Sequence, residues 1–341
     1  MSAEEHKADS PGLLHRIGSF AASVGRQGPK RRWLRLTLEG GLAVLIFGFL
    51  VVTVVSQWSE IRKEGIEFDL FWVLPGMIAI GLYYLGGAAL WGRILGLLGN
   101  QVTPGETQRI WAVPLLVRYI PGSVLFLLAR ILMAERVGVP RRVTTAGIVY
   151  EQAVSVSAAL TLSIYFLIAH PDLGDVWIRW ATLAVVPILI ILLHPRIFGP
   201  VSTRILEALG REPLPQTIGF PQVLTLYGTY VLLWGLMGLG VFMVAKSVHF
   251  LSLGDLPYVA ASQTIGFLAA VVSAVVPAGL GVRDTAFAWA VQTTLPSGSF
   301  AVAAALAIAV RAAQTVTELI YVGAVATATR KEPETMPGET A

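Results

Sequence analysis

Seven ionisable side chains lie within or beside long apolar stretches of this sequence. They are Arg118, Arg130, Glu151, Arg283, Asp284, Arg311 and Glu318. A charge at bilayer depth costs roughly 3 kcal/mol on insertion scales, so it needs a charged partner or a watery cavity. Four arginines and three carboxylates nearly balance. Their types therefore fit two kinds of chemistry, namely binding of an anion or fixed ion pairing between helices.

Arg118 and Arg283 stand beside predicted helix breaks. Tyr119-Ile120-Pro121-Gly122 follows the first arginine, and Pro277-Ala278-Gly279-Leu280-Gly281 precedes the second. Proline and glycine both interrupt helices, and a half-helix is expected to begin after each break. The free N–H groups and the dipole at a helix N-terminus attract anions, and a guanidinium group matches phosphate. Broken helices in corresponding positions of two halves are typical of transporter sites.

The same charges also fit purely structural roles. Arg283 with Asp284, and Arg311 with Glu318, could form ion pairs that hold helices together. The aliphatic part of the Arg130 side chain is long enough to place the guanidinium group at the membrane interface. The sequence leaves both interpretations open.

The composition requires most of the chain to face lipid. Of 341 residues, 55% are hydrophobic and 13% are charged, whereas soluble domains carry about 25% charged residues. The mean hydropathy is +0.69. Cysteine is absent, and the five histidines lack metal-ligand spacing. No cofactor, metal ion or nucleic acid is therefore expected as a partner.

The apolar runs predict an all-α, polytopic helical membrane protein with about eight crossings. A crossing needs about 20 apolar residues. Residues 110–134 carry Arg118, Arg130 and the Pro121-Gly122 break, and they predict a re-entrant or broken helix. A weak internal pseudo-repeat is also expected. The predicted crossings are Gly40–Gln57, Phe71–Gly92, Val143–Ala169, Val176–Leu193, Gln222–Ala245, Leu256–Val282, Thr285–Leu295 and Phe300–Thr327.

The loop charges predict that both termini are cytoplasmic in a bacterial inner membrane. Eighteen lysines and arginines fall on the predicted inner side and four on the outer side. This asymmetry holds only if residues 110–134 return to the side from which they enter. Residues 1–32 are expected to form a basic, disordered cytoplasmic segment, residues 33–330 the transmembrane domain, and residues 331–341 a disordered tail.

The stretch Pro277-Ala278-Gly279-Leu280-Gly281-Val282-Arg283-Asp284 is the most specific part of a family resemblance. Together with Arg118-Tyr119-Ile120-Pro121-Gly122, Arg130, Glu151 and Arg311, it resembles the flippase-like transmembrane domain of lysylphosphatidylglycerol synthases and its stand-alone relatives. The likeness covers about residues 40–327. It implies translocation or handling of an anionic lipid, which would be a phospholipid or a polyprenyl-phosphate-linked lipid.

Three features differ from that family. Ala278 and Asp284 replace a glycine and a glutamate, and Gln152 and Ser155 stand where the family often has arginine and aspartate after the position of Glu151. The aminoacyl-transferase domain is not expected in this chain, so lysyl transfer is not implied.

The leading functional hypothesis is a flippase or scramblase-like transporter rather than an enzyme. Arg118 and Arg283 would hold the lipid phosphate, while Glu151 and Asp284 would orient the arginines or exchange protons. One alternative is a membrane-embedded transferase with a polyprenyl-phosphate donor, in which Glu151 or Asp284 acts as base or metal ligand. Another is a lipid-binding partner subunit of an envelope-biosynthesis enzyme, such as a glycosyltransferase. A homo-oligomer is also compatible with the sequence.

Overall fold

In the computed structural model, the described residues are 69–117, 124–169, 176–208, 210, 212–272, 282–295 and 300–328. All the regular elements among them are helical. The α-helices are α1 (Leu70–Leu97), α2 (Pro104–Val117), α3 (Val124–Arg136), α4 (Arg141–Ala169), α5 (Val176–Leu192), α6 (Pro195–Ala208), α7 (Phe220–Lys246), α8 (Leu256–Val272), α9 (Val282–Val291) and α10 (Phe300–Ala328). Short 3-10 turns, Leu253–Asp255 and Gln292–Thr294, precede α8 and follow α9.

Five of these helices are long and apolar enough to cross a membrane. They are α1, α4, α7, α10, and α8 together with its preceding turn. By length and composition, the second half of α5, Ala184–Leu192, forms a sixth candidate span together with α6, with a 62° bend between the two. The predicted all-α class is confirmed for the described residues, and the helices are those of a multi-pass membrane protein. The predicted crossing Gly40–Gln57 lies outside the described residues.

One end of the bundle gathers the termini of several helices, and we call it the basic end. Gln216 Nε2 donates to the Leu97 carbonyl at 2.8 Å, and Arg142 forms an ion pair with Glu212. The loop before α7 therefore joins the last turn of α1 to the first turn of α4. Arginines collect here, namely Arg93, Arg109, Arg136, Arg141, Arg142, Arg196 and Arg204.

Helices α2 and α3 form a pair whose outer termini both lie at the basic end. α2 begins seven residues after α1 ends, and α3 ends five residues before α4 begins. Their 14 and 13 residues each reach about 20 Å, short of the roughly 30 Å of a hydrocarbon core. Gln108 Nε2 donates to the Leu85 carbonyl at 3.1 Å, so α2 lies alongside α1. The predicted break, residues 118–122, lies outside the described residues.

Helix α9 begins in the middle of the bundle. A Cβ atom added to Gly266 of α8 would lie 2.8 Å from the Arg283 carbonyl oxygen. The hydroxyl groups of Thr293 and Tyr258 share a hydrogen bond, so α9 runs antiparallel to α8. Gly266 is ten residues from the start of α8, or about 15 Å along its axis. The N-terminus of α9 is at this level.

The structure refines several predicted boundaries. Helix α9 begins at Val282 rather than near Thr285, so Arg283 belongs to its first turn and not to an inner loop. Helix α8 is described as far as Val272, and the predicted end of that crossing falls beyond residues 273–281, which lie outside the described residues. Helix α6 was not predicted, because its arginines were assigned to a loop. The predicted break at 277–281 lies outside the described residues.

Candidate functional site

Arg130 and Glu151 form an ion pair at the centre of four helices. Their side chains are 2% and 5% exposed. The Glu151 carboxylate also accepts hydrogen bonds from Trp111 Nε1 at 2.8 Å and from the Tyr230 hydroxyl at 3.4 Å. The four residues come from α3, α4, α2 and α7. One carboxylate therefore joins elements that are far apart in sequence.

Aromatic rings surround the Arg130 guanidinium group. Its Cζ lies 5.0 Å from the ring centroid of Trp91, 5.4 Å from that of Phe126 and 5.6 Å from that of Trp111. Cation–π contacts of this kind stabilise a desolvated cation. Arg130 therefore does not reach the membrane interface, and the interfacial role considered from the sequence is wrong. It also supplies Glu151 with a cationic neighbour, from α3 rather than from position 152.

A second set of buried polar side chains forms a stripe on α10. Arg311, Gln314, Thr315 and Glu318 are 9%, 4%, 4% and 1% exposed. Their spacing of three, four and seven residues places them on one helix face. Gln314 Oε1 accepts a hydrogen bond from Arg283 Nη2 at 2.6 Å. The stripe therefore meets the first turn of α9.

We call Arg283, Asp284, Arg311, Gln314 and Glu318 the α9–α10 centre. Within the described part of the chain, Arg311 Nε is buried and has no hydrogen-bond partner. Arg283 donates to Gln314, a partner that was not considered from the sequence. Asp284 is half-buried in the first turn of α9. Arg130 Nε is likewise buried without a hydrogen-bond partner, so the difference between the two centres is that Arg130 pairs with Glu151, whereas no ion pair of Arg311 is seen among the described residues.

Aromatic side chains connect the two centres. The Tyr321 hydroxyl of α10 donates to Gln108 Oε1 at 2.6 Å. Its ring stacks on Tyr84, with centroids 5.7 Å apart and planes inclined by 17°, and lies 6.2 Å from Trp111. Tyr321 is one helical turn from Glu318. The helix that carries Arg311 therefore packs directly against the tryptophan that bonds Glu151.

The structure brings the predicted residues together in two groups. Arg130 and Glu151 form one, and Arg283 is bonded through Gln314 to the α10 stripe that carries Arg311, with Asp284 next to Arg283 in the first turn of α9. Sequence reasoning missed Trp111, Tyr230 and Gln314. Polar spacing along an apolar helix could have revealed Gln314, whereas the two aromatic residues carry no such signal. The remaining predicted residues, Arg118, Tyr119, Pro121, Gly122, Pro277, Gly279 and Gly281, lie outside the described residues.

These features define a class of protein, a helical multi-pass membrane protein with two buried polar centres. The described residues contain no group of three or more His, Cys, Asp or Glu that could hold a metal ion. No model of a known protein family, no curated protein and no solved structure matches this chain.

Proposed function

We propose that the protein moves an anionic lipid across the bacterial inner membrane, as a flippase or scramblase does. The lipid phosphate would bind at the α9–α10 centre while its hydrocarbon tails stay in the bilayer. The observation that carries this proposal is Arg311, a buried guanidinium with no ion pair, and with no hydrogen-bond partner for its Nε, among the described residues. A buried cation without a counter-charge is costly unless an anion visits it.

The surroundings of Arg311 favour an anion as that ligand. Arg283 reaches the same helix face through Gln314. The N-terminus of α9 adds the positive end of a helix dipole at mid-bundle depth. Arg311 and Arg283 together present the planar donors that suit phosphate oxygens. The carboxylates of Asp284 and Glu318 would offset the positive charge of Arg283 and Arg311 before a lipid binds. They could also exchange protons during transport.

The Arg130–Glu151 pair takes a positioning role in this proposal. Glu151 already neutralises Arg130 and also accepts from Trp111 and Tyr230. The pair would hold α2, α3, α4 and α7 in place around the path of the lipid. The contribution of Arg118 and of the Pro121-Gly122 break rests on the sequence pattern and the family resemblance alone.

The orientation belongs to the same proposal. The basic end would face the cytoplasm, with both termini on that side, because positively charged loops are retained inside. Helices α2 and α3 would then form a re-entrant pair that enters from the cytoplasm, and α9 a half-helix from the opposite side. The resemblance to the flippase-like transmembrane domain of lysylphosphatidylglycerol synthases agrees with a lipid as the substrate.

Reconstituted vesicles test the proposal. Purified protein would be assayed with fluorescent phosphatidylglycerol and with a short fluorescent polyprenyl phosphate, using a reductant that quenches only the outer leaflet. Arg311→Gln and Arg283→Gln are expected to slow translocation at least about tenfold, because bonds to charged groups contribute about 1.5–3 kcal/mol. Arg141→Gln is the matched control, since Arg141 is exposed and paired with Glu135 at the basic end.

Two results would contradict the proposal. One is an unchanged rate with Arg311→Gln at equal amounts of folded protein. The other is the absence of movement of either lipid by the unsubstituted protein in sealed vesicles. Formation of a new product from the polyprenyl phosphate would instead favour a transferase.

A further inference from the structure

Helix α6 is amphipathic and has no buried residue. Ile197, Val201 and Ile205 are 37%, 49% and 56% exposed. They follow one another at intervals of four residues and so form one apolar stripe along the helix. Arg204 borders the stripe, and the exposed Glu207 lies on the opposite face. The neighbouring Phe198 packs on Tyr150, with ring centroids 4.5 Å apart, whereas no described contact covers the three residues of the stripe.

Both ends of α6 lie at the basic end of the bundle. The His194 ring, just before α6, lies 4.9 Å from Phe220 in the first turn of α7. Glu212, just after α6, pairs with Arg142 in the first turn of α4. A helix that begins and ends at the same end of a bundle does not cross it. The 62° bend after α5 therefore turns α6 away from the direction of the spans.

Length leads to the same conclusion. The 14 residues of α6 reach about 21 Å, less than the roughly 30 Å needed to cross the hydrocarbon core. Helix α5 alone has 17 residues, which is within the range of about 17–25 residues for a transmembrane helix. This is the lower end of that range, so a crossing at α5 does not require α6.

We propose that α6 lies in the plane of the lipid–water interface at the basic end. Ile197, Val201 and Ile205 insert among the upper acyl chains, and Arg196 and Arg204 lie at the level of the lipid phosphates. An exposed apolar stripe bordered by arginine is the pattern of an interfacial helix, which buries its apolar face about 5–10 Å into the headgroup boundary. Anionic lipid complements the arginines gathered at this end.

The partner in this inference is a lipid surface and not another protein. The helix continues directly from α5, whose last turns expose Ile188, Ile191 and Leu192. Those side chains face lipid. Helix α6, which follows them along the chain, therefore adjoins the headgroup boundary of the same leaflet. The inference is independent of the lipid that the protein moves, and it holds even if the protein transports nothing.

Spin labelling of single cysteines tests the inference, and the chain suits it because it contains no cysteine. Val201→Cys on the stripe and Glu207→Cys on the opposite face would each carry a nitroxide. Ile188→Cys on α5 would calibrate a deep position. Each protein would be reconstituted in vesicles of phosphatidylethanolamine and phosphatidylglycerol. Collision rates with oxygen and with a water-soluble nickel complex then give the depth of each label.

The label at 201 is expected about 5–10 Å below the phosphates, shallower than the label at 188, whereas the label at 207 collides mainly with nickel. Equal access of nickel to 201 and 207 would overturn the inference, because α6 would then lie in water. Depths at 201 and 207 similar to that at 188 would make α6 part of a bent span. Exclusion of both reagents from 201 would indicate a protein partner or a second copy on the stripe.

Discussion

The Glu151 carboxylate receives donors from three other helices, and this explains how a charge is tolerated so deep in the bundle. Its partners are Arg130, Trp111 and Tyr230. An isolated buried charge is very costly, whereas a paired one with its remaining lone pairs satisfied is retained. The same carboxylate fixes the separation of α2, α3, α4 and α7. We therefore expect its main effect to be on stability and helix placement.

Replacing one member of this pair is predicted to destabilise the protein more than replacing both. Glu151→Leu leaves Arg130 as an uncompensated buried cation, which typically costs about 3–5 kcal/mol. The double change Arg130→Met with Glu151→Leu removes the charge and keeps apolar volume, so it should recover most of the loss. The free energy of unfolding in mixed micelles measures the effect. Strictly additive losses would show that the pair is not coupled.

Trp111 offers a milder test of the same network. Trp111→Phe keeps an aromatic ring but removes the Nε1 donor to Glu151. The expected loss is about 1.5–3 kcal/mol of unfolding free energy, the usual range for a bond to a charged group. Trp177→Phe is the matched control, because Trp177 is 68% exposed on α5. Similar effects of the two substitutions would argue against a specific role for the indole N–H.

The charged residues could be predicted from the sequence, but their partners could not. Arginine and glutamate residues inside apolar runs can be recognised directly in the sequence. The pairing of Arg130 with Glu151 depends on how α3 packs against α4, and no local pattern fixes that packing. For the same reason, Gln314, which accepts a hydrogen bond from Arg283, was not considered as its partner.

At the scale of elements, α1 and α7 approach closely through two glycines. A Cβ atom on Gly76 would lie 2.9 Å from the Gly240 carbonyl oxygen, and one on Gly240 would lie 2.8 Å from the Gly76 carbonyl oxygen. Backbone atoms cannot move aside as a flexible side chain can. Small residues permit this kind of close helix contact in membranes.

Gly240→Ala is therefore predicted to destabilise the bundle by about 1–3 kcal/mol, the usual cost of overpacking. Gly235→Ala on the same helix is the control, because a Cβ atom there meets nothing within 4 Å. The control should be neutral, or stabilising by up to about 1 kcal/mol from helix propensity. Unfolding in mixed micelles again provides the measurement. Equal behaviour of the two variants would contradict the close approach of α1 and α7.

Long apolar runs predicted the long helices well, and short helices were the difficult ones. The last predicted helix, Phe300–Thr327, differs from α10 by one residue. Helix α6 was missed because arginines occur among its few apolar residues, and a pattern of this length resembles a loop. The start of α9 was displaced because the Pro/Gly stretch before it obscures where regular hydrogen bonding resumes.

For the whole molecule, the prediction that matters most is the course of residues 110–134. The loop charges agree with a single orientation only if this segment returns to its starting side. Hydrogen bonding of Gln216 to Leu97, and pairing of Glu212 with Arg142, bring together the helix ends on either side of α2 and α3. The sequence shows that residues 110–134 must return to their starting side for the charges to agree. Whether they do so depends on contacts between loops that are distant in sequence.

The absence of cysteine permits a direct test of this course in intact bacterial cells. Gln101→Cys precedes α2, Val137→Cys follows α3, and Leu253→Cys lies at the opposite end of the bundle; all three positions are exposed. A membrane-impermeant maleimide is expected to label position 253 in intact cells, and positions 101 and 137 only after permeabilisation. Labelling of 101 and 137 from opposite sides would show that α2 and α3 cross the membrane together. Every later segment would then be inverted, and the basic end could not face the cytoplasm as a whole.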